Sequence, residues 1–382
     1  MLPEGTHYRR LNEYGRRVLM ISSKSFSREW IEFISQKYGY RDKALIEKVI
    51  RAFSLLEALV DSGVPLVFKG GSAILLLLKD GLNRLSIDVD VICPPGTDIL
   101  KYLRNLDKYG FIRVSIVNKE RSGKNLPASH SKVYYEVAFK NPNVNDAYIR
   151  LDVLYEDNPY TNIVAMPIDL PFLYQDGVAL KVNLPTVEEI LGDKMTAFGP
   201  NSIGIPYYKG TRDCSLDIIK QLFDIGRLFD AVDNFDNTYD SFLRVSEMEL
   251  GYRNLIGKIN CYYDDVRRTS MSISSRGSVS SGAFVSLQNG IRRIESYMYQ
   301  KPYYIENAIC DSAKVAYLAT CFEYGIKNVE KYSPEMDLTS FSMKGLPGKI
   351  QRLRKVFPEA YYYWAKVSDI VDLNSIIESE KD

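Results

Sequence analysis

The stretch Lys69-Gly70-Gly71-Ser72, a short apolar run and then Asp88-Val89-Asp90 restricts this chain more than any other part of it. Ahead of it, Pro65-Leu66-Val67-Phe68 reads as a short apolar strand, and Gly70-Gly71 as the turn that ends it. Ala73 to Leu78 reads as a buried helix turn closed by Asp80-Gly81. Ile87 to Ile92 reads as a second strand, ending at Pro94-Pro95-Gly96. Alternate residues of a strand share one face, roughly 6.5–7 Å apart. Asp88 and Asp90 therefore point one way, and Ile87, Val89 and Val91 the other.

Two carboxylates so placed repel each other, and one is raised in pKa unless a cation neutralises them. Mg²⁺ suits them: a hard ion, held by one or two carboxylates together with substrate phosphates. Gly70 and Gly71 let backbone approach a phosphate, and Ser72 adds a hydroxyl and opens a helix, whose N-terminus favours anions. A D-x-D alone also fits a solvated strand edge, and a Gly-Gly-Ser turn alone fits a plain tight turn. Together they make a phosphate cradle and a metal site neighbours. A third carboxylate commonly bridges a second metal and helps to deprotonate the attacking hydroxyl. Asp152, in the apolar strand Ile149-Arg150-Leu151-Asp152-Val153-Leu154, is the candidate; an ordinary pairing with Arg150 is its alternative.

Bulk properties narrow the field. The 382 residues suit two domains, 46% hydrophobic residues suit a packed core without staples, and a net charge of +1 gives no global pull toward nucleic acid. The five cysteines are odd in number and show no C-x-x-C, which argues against a zinc ribbon or a secreted disulfide scaffold. His7 and His130 are the only histidines, too few for a histidine-rich metal site. The N-terminus has no apolar signal core and the longest apolar run is too short to span a bilayer, so a cytoplasmic protein without a membrane partner is expected.

The expected fold is α+β: a mixed β-sheet flanked by helices, followed by an all-helical part. The boundaries expected are an N-terminal helical segment over 1–40, a first domain over 41–205 and a helical domain over 206–382. Asp42 to Asp61 carries a helical apolar repeat. Phe111–Val117, Val133–Phe139, Tyr148–Tyr155 and Ala179–Val182 read as strands, and Asp98 to Leu106 as a helix. Thr186 and Glu189 form the sequence of a capping box. Leu216–Val232, Phe242–Ile259 and Ala308–Asn328 read as amphipathic helices, with Thr269 to Gly282 as a loop.

Lys69-Gly-Gly-Ser72 with Arg84-x-Ser86-x-Asp88-x-Asp90 resembles the signature of the DNA-polymerase-β-type nucleotidyltransferases. The fuller pattern is similar to the abortive-infection toxin family AbiEii/AbiGii, to which the MenT toxins are related. Gly192-Asp193-Lys194-Met195-Thr196-Ala197-Phe198 matches the family's lysine motif, and Ile219-Lys220-Gln221-Leu222-Phe223-Asp224-Ile225-Gly226 its aspartate motif. The resemblance covers roughly 42–230. The joint between these motifs, Pro200 to Leu216, is long for the family, and Arg212-Asp213 is its candidate basic element. Lys194 falls on the apolar stripe of its helix with Val187, Ile190, Leu191 and Phe198, where an unpaired lysine is costly. Asp224 falls on a flank with Asp217 and Gln221, where periodicity alone would put it at the surface. The resemblance implies that Asp224 orients the lysine or the nucleotide. It also implies Asp88, Asp90 and Asp152 as ligands of Mg²⁺ (two ions, with Mn²⁺ as an alternative), and Lys69, Gly70, Gly71, Ser72, Arg84 and Lys194 as contacts to a nucleoside triphosphate. A cognate antitoxin is implied as partner.

For the acceptor, the helical part offers Arg267-Arg268, Arg292-Arg293 and the set Lys344, Lys349, Arg352, Arg354, Lys355. Tyr262-Tyr263 and Tyr361-Tyr362-Tyr363 lie beside them. Basic residues with aromatics fit RNA backbone contact and base stacking, and equally fit a solvated helix face over core tyrosines. The resemblance implies the 3′ end of tRNA. A small molecule, a protein side chain, or nucleotide binding without turnover are the alternatives.

Overall fold

The computed structural model describes residues 21–117, 127–139, 147–279, 281–343 and 348–373. Ser27 caps α1 (Arg28–Tyr38) by accepting from the Trp30 amide, and Gly39, at φ +64°, ends it. Asp42 caps α2 (Lys43–Asp61), which is buried along nearly its whole length. The chain then runs β1 (Val67–Lys69), α3 (Gly70–Leu78), β2 (Val89–Cys93), α4 (Ile99–Tyr102), β3 (Phe111–Ile116), β4 (Ala128–Tyr135) and β5 (Ala147–Tyr155). These strands form one sheet in the order β1-β2-β5-β4-β3. β2 and β5 are parallel and the other pairs antiparallel, so the sheet is mixed as expected. Val89, Val91, Val133, Ile149, Leu151 and Val153 turn one face into the core, where α2 packs.

A second, two-stranded sheet joins β6 (Ile163–Pro167) to β7 (Lys181–Pro185). α5 (Val187–Ala197) follows, then a small hairpin of β8 (Tyr208–Lys209) and β9 (Arg212–Asp213). Every described element after it is helical: α6 (Ser215–Ala231), α7 (Asp236–Tyr252), α8 (Ile259–Ser274), α9 (Ser281–Ile294), α10 (Ile305–Glu323), α11 (Gly348–Gln351), α12 (Leu353–Val356) and α13 (Pro358–Ser368), with a 3-10 turn at Glu295–Tyr297. One apolar cluster runs from Ile21 to Leu373 through both halves. Among the described residues no helix is long and apolar enough to cross a membrane.

Several local expectations change, among them the helix over Phe242–Ile259, which ends at Tyr252. The capping box at α5 does not form: Thr186 makes no side-chain cap bond. Glu189 instead accepts from the backbone amides of Thr161 and Asn162 and pairs with Arg244 of α7 at 2.9 Å, fully buried. The strand expected over Val133–Phe139 lies earlier, because the Ala138 amide leaves the sheet for Glu47 and its carbonyl for Arg28. The helix expected over Asp98–Leu106 is one short turn, and β6 was not anticipated. The loop expected over Thr269–Gly282 is shorter, because α8 runs on to Ser274 with Met271 and Ile273 in the core.

The tyrosine runs are core as well. Tyr262, Tyr263, Tyr361, Tyr362 and Tyr363 are all buried, and the Tyr262 hydroxyl donates to the Met195 carbonyl at 2.6 Å. They offer no face to a base. Arg267 is buried between Asp264 and Glu323, whereas Arg292, Arg352, Arg354 and Lys355 are exposed. Lys344 lies outside the described residues, as does the side chain of Lys349.

α5 and α7 cross tightly at Gly192. A Cβ there would meet the Thr238 carbonyl oxygen at 2.6 Å and the Phe242 amide nitrogen at 2.7 Å, backbone atoms that cannot swing aside. Gly192→Ala is expected to destabilise the protein by about 1–3 kcal/mol through overpacking, read as a lower urea midpoint.

Candidate active site

The sheet register sets the site. Lys69 pairs with Asp90 across β1 and β2, Asp90 with Asp152 across β2 and β5, and Asp152 with His130 across β5 and β4. Register partners point to the same face, so these four side chains form one row. Asp88 lies two residues before Asp90 and joins that face.

The glycines shape the turn against this row. Gly70 sits at φ +78°, a region costly for other residues, and a Cβ on it would lie 2.3 Å from an Asp90 carboxylate oxygen. A Cβ on Gly71 would lie 2.8 Å from Ser86 Oγ and 2.9 Å from an Arg84 nitrogen. The turn is therefore pressed onto the carboxylates, with the unpaired amides of the first turn of α3 beside them. Ser72 departs from expectation: it is 1% exposed, and its hydroxyl donates to the Asp88 carbonyl at 2.6 Å. It fastens α3 to the D-x-D, and its hydroxyl is not open to a phosphate.

Arg84 departs further. It is 2% exposed, and its guanidinium donates to both carboxylate oxygens of Asp224 at 2.7 and 2.8 Å and to the Leu85 carbonyl. Expected as a triphosphate contact, it is instead a buried partner of Asp224. Asp224 is fully buried, not at the surface where periodicity put it. α6 is packed by α5, α9 and α10, so residues Leu222 to Gly226 are all inside. Lys194 completes the group, 3.1 Å from Asp224 and donating to Gln221 at 2.9 Å. Lys69 pairs with Asp193 at 3.1 Å, and Tyr160 donates to the same carboxylate at 2.8 Å. Burial works against the Lys69 charge, but Asp193 and Tyr160 outweigh it and hold the ammonium well above its ordinary value.

The three carboxylates expected to hold metal do not form a ready cage. Among the described residues no group of three His, Cys, Asp or Glu side chains is arranged to hold a metal ion. Arg150, beside them on β5, bridges Asp88 at 2.6 Å and Asp152 at 3.3 Å. His130 Nδ1 lies 2.7 Å from Asp152. Asp90 is pushed up to about 7, first by burial and then by the charges of Asp152 and Asp88. The donor set nonetheless fits a hard cation: oxygen ligands only, mutually repelling, and open to a ligand that brings oxygens of its own.

Sequence reasoning missed Arg150 as a bridge, Asp193 and Lys220. Lys220 is half-buried, with its ammonium 3.5 Å from the centre of the Tyr297 ring. Burial and then Arg84 pull it down to about 8, against Asp217, Asp88 and Asp224.

The family model described as "Nucleotidyl transferase AbiEii toxin, Type IV TA system" matches residues 54–273, more than half of the chain and every site residue named above except Tyr297. The chain belongs to the AbiEii nucleotidyltransferase toxin family. Membership in AbiEii implies a nucleoside triphosphate substrate and an antitoxin partner. Comparison with curated proteins gives no match. Among solved structures, the AbiEii chain is similar to MenT4, a nucleotidyltransferase toxin from Mycobacterium tuberculosis H37Rv. The TM-score is 0.47 and the identity 12%, covering 87% of this chain and 98% of that one. It is also similar to JHP933 from Helicobacter pylori, with a TM-score of 0.38 and 16% identity over 75% and 94% of the two chains.

Two outcomes are expected. Arg84→Met leaves Asp224 without its bidentate partner and should cost about 3–5 kcal/mol, as removal of one member of a buried pair does, seen in urea unfolding. Lys220→Met should stabilise the protein. A lysine depressed to about 8 from 10.5 carries its full folding cost below pH 8, where both states hold the proton, and sheds it as pH rises to 10.5. The gain in Tm over wild type should therefore be largest near pH 7 and fade by pH 10.

Proposed function

We propose that the chain transfers a nucleoside monophosphate from a nucleoside triphosphate to the 3′ end of an RNA, tRNA being the expected acceptor. The observation that carries this reading is the juxtaposition in one row of Asp90 and Asp152, with Asp88 on the same face and the N-terminus of α3 pressed against Asp90 through Gly70.

In this reading the first amides of α3 hold phosphate oxygens. Asp88 and Asp90 would hold Mg²⁺, with Asp152 completing the set. Mg²⁺, when bound, supplies charge neutralisation for the triphosphate. Arg150 gives up its bridge and is left next to the phosphates. Asp224, fixed by Arg84, holds Lys194 in place at the edge of the site. The acceptor hydroxyl gives its proton to a carboxylate of the row, Asp152 being the candidate, attacks the α-phosphate in line and displaces pyrophosphate, with positioning and charge neutralisation as the main work.

The proposed division keeps this chemistry within 41–205, with the exception of Asp224, and gives choice of acceptor to 206–382. The exposed Arg292 of α9 favours RNA, whereas Arg212 and Arg293 near it are paired with Asp217 and Asp213. The burial of the tyrosine runs favours the second reading, a small-molecule or protein acceptor, because base stacking loses its candidates. A cytoplasmic setting with a cognate antitoxin is part of the proposal.

The test incubates the protein with total tRNA, Mg²⁺ and each labelled nucleoside triphosphate in turn. Label on the RNA 3′ end with at least one nucleotide is expected, lost by at least a thousandfold (order of magnitude, ~10³) in Asp90→Ala. No label with any nucleotide would sink the RNA reading, and equal labelling by the variant would sink the site assignment.

A further inference from the structure

The cations around the site are nearly all committed to carboxylates. Arg84 and Lys194 belong to Asp224, Lys69 to Asp193, and Arg150 to Asp88 and Asp152. Lys220 differs. Its ammonium has no hydrogen bond and no ion pair among the described residues, only the face of Tyr297 at 3.5 Å. Asp217, one turn before it on α6, is taken by Arg212. A half-buried ammonium without an anion has lost part of its hydration with only an aromatic face in return.

Its position gives the reason to keep it. Lys220 precedes Gln221, which accepts from Lys194, and lies one turn before Asp224. The Tyr297 carbonyl accepts from the Leu85 amide at 2.8 Å, and the Tyr299 amide donates to the Asn83 carbonyl at 3.1 Å. These bonds set the Tyr297 ring beside the segment that leads into Asp88. The ammonium therefore stands on the helical half's wall, beside the segment that carries Arg84 under the Gly70-Gly71 turn.

We propose that Lys220 is a polyphosphate-binding residue of this active site, seated on Tyr297 and neutralising the non-transferred phosphates. The inference rests on the nucleotidyltransferase reading and adds a contact from outside the lysine motif. A bound phosphate supplies the missing anion and relieves the ammonium of its unpaired burial. Tyr297 holds the ammonium over its ring by cation–π attraction, so that less rotamer freedom is left to lose on binding.

The experiment titrates wild type, Lys220→Met and Lys220→Arg with inorganic tripolyphosphate and with ATP, CTP, GTP and UTP, each with Mg²⁺, by calorimetry. Circular dichroism reports the fold of each variant. Lys220→Met is expected to bind tripolyphosphate, and whichever nucleoside triphosphate the wild type binds, about ten- to a hundredfold more weakly, the worth of one charged hydrogen bond. Lys220→Arg is expected to recover most of the loss. Wild-type affinity in Lys220→Met, or an equal loss in both folded variants, would overturn the role of Lys220 alone. A wild type that binds neither tripolyphosphate nor any nucleoside triphosphate would overturn the transferase reading itself.

Discussion

The buried carboxylate of Asp224 is the point on which the structure turns. It comes from the helical half, and its two partners come from elsewhere: Arg84 from the segment before the D-x-D, Lys194 from the helix after the sheet. A fully buried aspartate is tolerated only when its charge is matched and its lone pairs are filled. Arg84 fills both oxygens and Lys194 adds a second cation. Three segments distant in sequence are thereby fixed to one atom group. Arg84 in turn underlies Gly71, so the position of the glycine turn depends on a charge contributed from α6.

The carboxylate row shows the same principle with the signs reversed. Asp88, Asp90 and Asp152 repel, and the chain answers with Arg150, whose guanidinium spans two of them. Asp90, which Arg150 does not touch, is the one driven toward neutrality. The sheet register places the row, and Arg150 offsets only part of its repulsion. The apolar packing lies on the opposite face, through Val89, Val91, Leu151 and Val153.

Much of this was legible in the sequence because it is local. Strand, glycine turn, helix and D-x-D follow one another within a single supersecondary unit, and alternation alone puts both aspartates on one face. Lys194 was legible as a lysine on an apolar stripe. What escaped depends on packing from several sides. Asp224 looked exposed because periodicity assumes one buried face, and α6 has helices around most of its circumference. Ser72 and Arg84 looked like ligand contacts because residue type and order cannot say which way a polar group is spent. Here both are spent inside the protein. The tyrosine runs looked like a stacking surface, yet the hydroxyls of Tyr262, Tyr361 and Tyr363 serve backbone groups of the core. Glu189 had the sequence of a cap and the position of a clamp between the second sheet and α7.

The rungs between residues 83–85 and 297–299 bear on modularity. The backbone leading into the D-x-D is paired not with another strand of its own sheet but with the turn after α9. A chain cut after residue 205 would keep the whole carboxylate row and still lack Asp224, Lys220 and this pairing. Arg84 would remain inside without a counter-charge. The catalytic half is therefore not a portable cassette: the helical half is part of its scaffolding, and the two must have been shaped together as one working unit.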